Sequence, residues 1–423
     1  MCPEPTASRK QGKFTRGQTT LTANQQVIRS FDQMFEHVDR AAPVLTLFSG
    51  GLDSSYLLLR LKKAGFTDIH ALSVNIGELE TVEEKHRIAA LLGVKLHLSD
   101  RRHEFADDFV APAIKAHAVY LGLHPVSSTL SRPLIARAAT EVGDALGCAG
   151  ILHTANRSQN TLRRLNGALR LLGFSGFFGS PYDLQPVSRQ DKLAALAAAG
   201  VTFADDRAVS GDSNLWCREF ESGALDDPEH HDIPESIYRW TAPTDAAQDF
   251  VSVTFEEGTP TAVDGHRMEL VALIGHLNDR VGRLGIGRYT GLEHLDNGEK
   301  VLEVREAPAA WLLLATARHI ESACLPAELI ATKMTVEQIW TREALEGRWF
   351  GGLKAAAEAF IDTCAREVTG TVKWRLRPGS ASTSAILAEH PLYLRDREQW
   401  ETESIHREYT VFAPVLAGMG ATR

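Results

Sequence analysis

The sequence predicts an α/β protein: a parallel-sheet, Rossmann-like domain followed by an α+β domain. Three observations carry that expectation. Short apolar runs alternate with amphipathic stretches from residue 43 to about 202, a pattern that buries parallel strands under helices on both faces. After 202 this gives way to a Pro/Asp/His-rich connection at 226–234 and a period-two strand at 250–255. The first apolar run also stops abruptly at Ser49-Gly50-Gly51 ahead of a helical stretch, which reads as strand, tight turn and helix.

In chain order, residues 1–42 begin polar and turn mildly helical over 25–40, predicting a frayed tail and a surface or inter-subunit helix without chemistry. Strands are expected at 44–48, 70–74, 95–98 and 150–153, with helices at 52–64, 81–92, 104–120 and 133–146. Ligands of such sheets bind at the C-terminal strand ends. Four polar segments fall there: 49–55, 75–78, 127–132 and 153–164. The second half predicts helices at 268–284, 307–322 and 353–369, a Gly-rich turn at 285–288, and a hairpin of 370–377 with 380–387 around Pro378-Gly379. The last thirty or so residues are rich in charge and aromatics, suited to packing on a neighbouring subunit.

A chain of 423 residues is long enough for two or three domains. A net charge of −9 argues against nucleic acid as the partner, because no broad basic excess offsets a phosphate backbone. The five cysteines are scattered without metal or disulfide spacing, which fits a reducing cytoplasm. The N-terminus lacks the apolar core of a signal peptide, and no apolar run is long enough to cross a bilayer. The expectation is a soluble cytoplasmic protein, bound to neither membrane nor nucleic acid.

The chemistry concentrates in Phe48-Ser49-Gly50-Gly51-Leu52-Asp53-Ser54-Ser55. Glycines 50 and 51 let a phosphate approach the main chain, and the open N–H groups of the following helix face the anion. Ser49, Ser54 and Ser55 add hydroxyl donors, and Asp53 is a candidate ligand for a magnesium ion that shields the phosphates. The plainer alternative is a strand-to-helix turn with serine caps. The loop lacks the lysine and spacing of a Walker loop, which argues for cleavage of ATP to AMP and pyrophosphate over transfer of its terminal phosphate.

With these stretches go Val74-Asn75-Ile76-Gly77, residues 127–136 (Ser-Ser-Thr-Leu-Ser-Arg-Pro-Leu-Ile-Ala), Asp212-Ser213-Asn214-Leu215-Trp216, residues 221–228 (Glu-Ser-Gly-Ala-Leu-Asp-Asp-Pro), Gly285-Ile286-Gly287-Arg288 and Arg305-Glu306-Ala307-Pro308-Ala309. In order and spacing they resemble argininosuccinate synthases from about residue 43 to 400. The resemblance implies a PP-loop (HUP-type) nucleotide domain at 43–202, a synthetase and oligomerisation domain at 203–400, an N-terminal extension before them and a tail at 401–423. It also implies ATP and Mg2+, small-molecule substrates and a homotetramer. Such enzymes adenylylate the ureido oxygen of citrulline, and the amine of aspartate then displaces AMP. By the same resemblance Phe48, Ser49, Gly50, Gly51, Asp53, Ser54, Ser55, Val74 and His153 would surround ATP. Asp53, Ser49 and Arg132 would act on the reacting groups.

The substrate half departs from the family pattern. Where the family has His-Gly-x-Thr-Gly-Lys-Gly-Asn-Asp-Gln, this chain has His153-Thr154-Ala155-Asn156-Arg157-Ser158-Gln159-Asn160-Thr161-Leu162. Asn156 stands in for a threonine and Thr161 for an aspartate, removing a strong acceptor for ureido N–H groups. His124 occupies a tyrosine position, Glu219 a serine position and Arg305 a second tyrosine position. Ser128, Thr129, Asn160, Arg164, Ser210 and Glu293 keep family positions and complete the expected substrate site. Glu219 and Arg305 would either pair with each other or read a differently charged substrate, because a buried unpaired charge is strongly unfavourable. The plainer alternatives are a loop-edge role for His124, solvated helix-start roles for Arg157 and Arg163, and a helix N-cap made by Ser210 with Asp212. Arg132 is expected to hold a carboxylate or phosphate. The reading is an AMP-forming C–N ligase with an altered acceptor. Its rivals are an ordinary argininosuccinate synthase and a nucleotide-binding scaffold without turnover. A tRNA-modifying or sulfur-inserting relative would need reactive cysteines or a basic platform.

Overall fold

A computed structural model describes residues 26–77, 82–203, 210–242, 244–245, 247–295 and 298–404. Six parallel strands form the first sheet, in the order β1 (Val27–Ile28), β8 (Phe177–Gly179), β7 (Gly150–Leu152), β2 (Val44–Leu47), β3 (Ile69–Asn75) and β4 (Lys95–Asp100). Along β2 the side chains alternate faces: Val44 joins a core layer with Phe31, Tyr56 and Leu57, whereas Leu45 joins the opposite layer with Phe105, Phe109 and Leu134. Burial on both faces explains why the central strands β2 and β3 read as largely apolar runs.

From β2 the chain proceeds through β3 and β4 in one direction, and later through β7 and β8 in the other. The order reverses between β2 and β7. The loops after these two strands therefore flank one crevice, where a doubly wound sheet takes its ligand.

The hairpin of β5 (Val119–Tyr120) and β6 (His124–Pro125) leads into helix Ser128–Leu146, and the second half of the chain holds two antiparallel sheets. One runs β14 (Arg288–His294), β15 (Lys300–Glu306), β10 (Arg218–Glu221) and β9 (Ser210–Ser213). The other runs β13 (His266–Arg267), β12 (Thr259–Val263), β11 (Asp249–Glu256), β16 (Gly370–Arg377) and β17 (Ser380–Ala388). Helices Pro308–Cys324 and Ala327–Leu345 are the longest of this half, and the first of them packs on β11, β16 and β17. No helix among the described residues is long and apolar enough to cross a membrane.

Several expectations are corrected. The N-terminal segment is no surface helix: β1 extends the parallel sheet, and Phe31 and Met34 of helix Phe31–His37 are buried in its core. The helix expected over 104–120 ends at Lys115 after a π-type turn at Ala106–Val110, and His117 then takes a φ of +43°. The helix expected from Pro133 starts at Ser128, so 127–132 is its first turn and no loop. Proline is welcome at a helix start, hence the misreading, but at 133 it only removes the donor that would reach Thr129. Ser210 caps no helix, since it opens β9. Glu78 and Thr81, residues 1–25 and most of the tail lie outside the described residues.

Candidate active site

The phosphate loop has the conformation its sequence requires. Gly50 sits at φ +83°, in the left-handed region, and a Cβ there would come within 3.0 Å of the Lys85 side chain. Gly51 caps helix Leu52–Lys63 with no side-chain acceptor, which leaves the first helical N–H groups directed at the crevice. Ser49 Oγ accepts from Gly51 N at 3.2 Å and lies 3.2 Å from Ser54 Oγ, which donates to the Gly51 carbonyl. Two lysines reach the turn. Lys85 Nζ donates to Ser73 Oγ at 2.9 Å with its stem under Gly50, and Lys192 Nζ pairs with Asp53 Oδ1 at 2.7 Å. Tyr182 OH donates to the Asp53 carbonyl at 2.9 Å and fixes the first helical turn from the other side.

Beside the loop opens a cavity of about 280 Å³. It is lined at one end by Phe48, Ser49 and Val74, and in the middle by His153, Asn160 and Thr161. The far end is lined by Ser128, Arg132, Arg164, Ser210, Asp212, Glu219, Glu221 and Glu303. Burial lowers the His153 pKa to about 4, so the ring is neutral; its Nε2 faces Asn166 Oδ1 at 2.9 Å. Arg132 reaches Asp212 at 2.5 Å and Thr161 Oγ1 at 3.3 Å, spanning the two walls.

The far wall is built on strand pairing. Glu219 of β10 lies opposite Arg305 of β15, and Glu303 is two residues before Arg305 on the same face. Their neighbours Arg218 and Glu306 point the other way and pair there, where Glu306 also accepts from Trp240 N at 2.9 Å and Thr241 N at 2.8 Å. Arg305 donates to the Pro125 carbonyl at 2.6 Å, lies 3.2 Å from Glu219 and 3.0 Å from Glu293, and pairs with Glu303. Glu293 also accepts from Asn160 at 2.7 Å and from Arg164, whose other nitrogen donates to Ser128 Oγ at 2.8 Å. Burial opposes ionisation of Glu293, but Arg164 and Arg305 hold its pKa well below the usual carboxylate range. Burial pushes Glu303 up despite Arg305, with Glu293 and Glu219 adding repulsion. Glu221, which meets the Gln159 amide at 3.3 Å, is also raised by burial. The charged pair read from the sequence is thus an internal ion pair within a larger cluster.

The cavity brings together Phe48, Ser49, Val74, Ser128, Arg132, His153, Asn160, Thr161, Arg164, Ser210 and Glu219. Gly50, Gly51, Asp53, Ser54 and Ser55 form the adjoining phosphate turn. Five expected substrate residues do not line it. Glu293 and Arg305 stand behind the wall, His124 is buried against Tyr120 with ring centroids 5.4 Å apart, and Thr129 is buried in the helix Ser128–Leu146. Asn156 also turns away and holds Ser158 by its side chain at 2.7 Å. Arg163 is no solvated helix-start residue: it is nearly buried and lies 3.5 Å from Glu346. Arg157 does lie at the surface, paired with Asp183 at 2.7 Å. Sequence reasoning missed Lys85, Lys192 and Glu303, which no local motif marks, and quoted Glu221 in a motif without placing it in the site.

His124 yields a stability prediction. Burial, then Arg305, lowers its pKa from 6.5 to about 3, and neither ring nitrogen has a well-aligned hydrogen-bond partner. A depressed histidine pKa means that the unfolded chain binds the proton first, so stability is full above pH 6.5 and declines as pH falls towards 3. His124→Phe keeps the stacking and is expected to raise stability by about 2 kcal/mol at pH 5 and by less at pH 7.5, read by urea denaturation at both values. An equal or opposite effect at the two pH values contradicts this.

Two family profiles match the chain: the arginosuccinate synthase N-terminal HUP domain over residues 43–173 and the arginosuccinate synthase C-terminal domain over 209–413. The argininosuccinate synthase of Rubrobacter xylanophilus is 34% identical over 371 residues, covering 86% of this chain and 90% of that protein. The argininosuccinate synthase of Dictyoglomus turgidum is 33% identical over 353 residues, covering 83% and 89%. An NH3-dependent NAD synthetase from Campylobacter jejuni superposes on 38% of this chain and 65% of its own at 14% identity, with a TM-score of 0.26.

Proposed function

The chain belongs to the argininosuccinate synthase family, and from that premise we propose that it is an ATP-dependent, AMP-forming C–N ligase with an altered acceptor pocket. It activates a ureido or amide oxygen and couples the activated carbon to an amine, that of aspartate. One observation carries this reading: a phosphate-binding turn and a wall of buried charge open on the same cavity. The proposal includes a nucleotide domain at 43–202, a synthetase domain at 203–400, a homotetramer and a cytoplasmic setting.

In the first step the ureido oxygen attacks the α-phosphorus of ATP, and the bond to the β-phosphate oxygen breaks. Pyrophosphate leaves onto the Ser49–Ser55 turn, where backbone N–H groups, hydroxyls, Lys85 and Lys192 spread its charge. In the second step the amine attacks the ureido carbon. The C–O bond breaks, AMP leaves with the former ureido oxygen, and the nitrogen sheds its protons to solvent. Arg132 braces the two cavity walls where the reactants meet, so its part is alignment. Asp53, a hard carboxylate on the rim of the phosphate turn, fits Mg2+, which commonly takes one or two carboxylates and completes its shell with water and phosphate. Bound there, the ion would shield the phosphates.

The altered pocket is supported by Glu219, which lines the wall, and Arg305, which pairs with it from behind. Pyrophosphate release with ATP and aspartate tests the proposal. Citrulline is expected to support turnover at least about 100-fold below the best ureido or amide compound of a panel. Citrulline as the best acceptor would establish the ordinary family reaction, which the named relatives favour. ATP binding without release for any acceptor would leave a scaffold.

A further inference from the structure

We infer that the acceptor carries an ammonium group, and no carboxylate, at the end remote from the oxygen that is activated. This rests on the ligase reading and adds the charge of the substrate. At the far end of the cavity and just behind it, three guanidiniums (Arg132, Arg164, Arg305) stand against five carboxylates (Asp212, Glu219, Glu221, Glu293, Glu303). All three guanidiniums are engaged by the protein itself. Arg132 is held by Asp212, Arg164 by Glu293 and Ser128, and Arg305 by Glu219, Glu293 and Glu303. A substrate carboxylate placed here would have to compete for these cations while facing Glu219, Glu221 and Glu303.

An ammonium meets the opposite situation. Glu219 and Glu303 share one guanidinium, and Glu221 has a neutral amide beside it. The upward displacement of the Glu221 and Glu303 pKa values reflects burial without enough positive charge. Three N–H donors on one cation suit such a wall. The wall is also preformed, since strand pairing fixes Glu219, Glu303 and Arg305 on one face.

Four ureido compounds of similar length separate the possibilities: ureidobutylamine, butylurea, ureidopentanoate and citrulline. Calorimetric titration of each into the full chain saturated with a non-hydrolysable ATP analogue is expected to show ureidobutylamine binding about 10-fold tighter than butylurea and about 100-fold tighter than ureidopentanoate. Glu303→Gln should reduce the first ratio, leaving butylurea unchanged. Tightest binding by citrulline or ureidopentanoate, equal binding by all four, or binding by none overturns the inference. AMP release with aspartate is read separately. The predicted binding order without AMP from any compound sinks the ligase reading alone, whereas AMP formed fastest from citrulline sinks the inference together with the altered acceptor and leaves the AMP-forming ligase chemistry standing.

Discussion

Replacing Asp53 by alanine is expected to lower AMP formation about 100- to 1000-fold, chiefly in kcat, with little change in folding stability. The carboxylate lies on the turn that receives pyrophosphate, 40% exposed and paired with Lys192 at 2.7 Å. Charge accumulates on the bridging oxygen only as the α–β bond breaks, so a group that organises counter-charge there acts mainly in the transition state. The surface position explains the small stability cost, since exposed ion pairs contribute roughly 0–1 kcal/mol. Undiminished pyrophosphate release from Asp53→Ala with a working acceptor would remove the phosphate turn from the mechanism.

The second large effect concerns the charged wall. Arg305→Leu is expected to destabilise the fold by about 3–5 kcal/mol, because it leaves the buried Glu219, Glu293 and Glu303 without their shared cation. Pairing it with Glu303→Leu should restore a substantial part, since the double variant removes a carboxylate along with the guanidinium. Urea denaturation of the two variants gives the comparison. A loss under about 1 kcal/mol for Arg305→Leu would mean that water or rearrangement reaches this cluster, contrary to its burial.

Much of the nucleotide half was legible because its signals are local. The apolar run of β2, the glycine at positive φ and the uncapped helix lie within a dozen consecutive residues, so composition and spacing alone identify the turn. In that half the strands that escaped notice are short: β1 and β8 have two and three residues, too few for any period to register. Helix Ala327–Leu345 escaped for another reason. Its inner face buries Lys333 and Glu337, paired at 2.5 Å, and Lys333 also pairs with Glu321 at 2.7 Å. A charged core face breaks the apolar stripe on which helix reading depends.

The substrate half was legible in identity but less so in placement. Glu219 and Arg305 were singled out as a possible pair, and strand register makes them cross-strand partners. Strand register puts Glu219, Glu293, Glu303 and Arg305 on one face, and that Glu219 and Glu303 line the cavity while Glu293 and Arg305 stand behind them is set by tertiary packing that no residue window encodes. Lys192 reaches Asp53 across the gap between helices Arg189–Ala197 and Leu52–Lys63, a contact set by tertiary packing.

The central claim is that the chain places AMP on a ureido-type oxygen. Its most direct measurement is a single-turnover reaction with ATP, aspartate and an acceptor whose ureido oxygen is isotopically labelled, with products read by mass spectrometry. The account predicts that the label leaves in AMP and that pyrophosphate is the other nucleotide fragment. Unlabelled AMP, or ADP and phosphate as products, would contradict it.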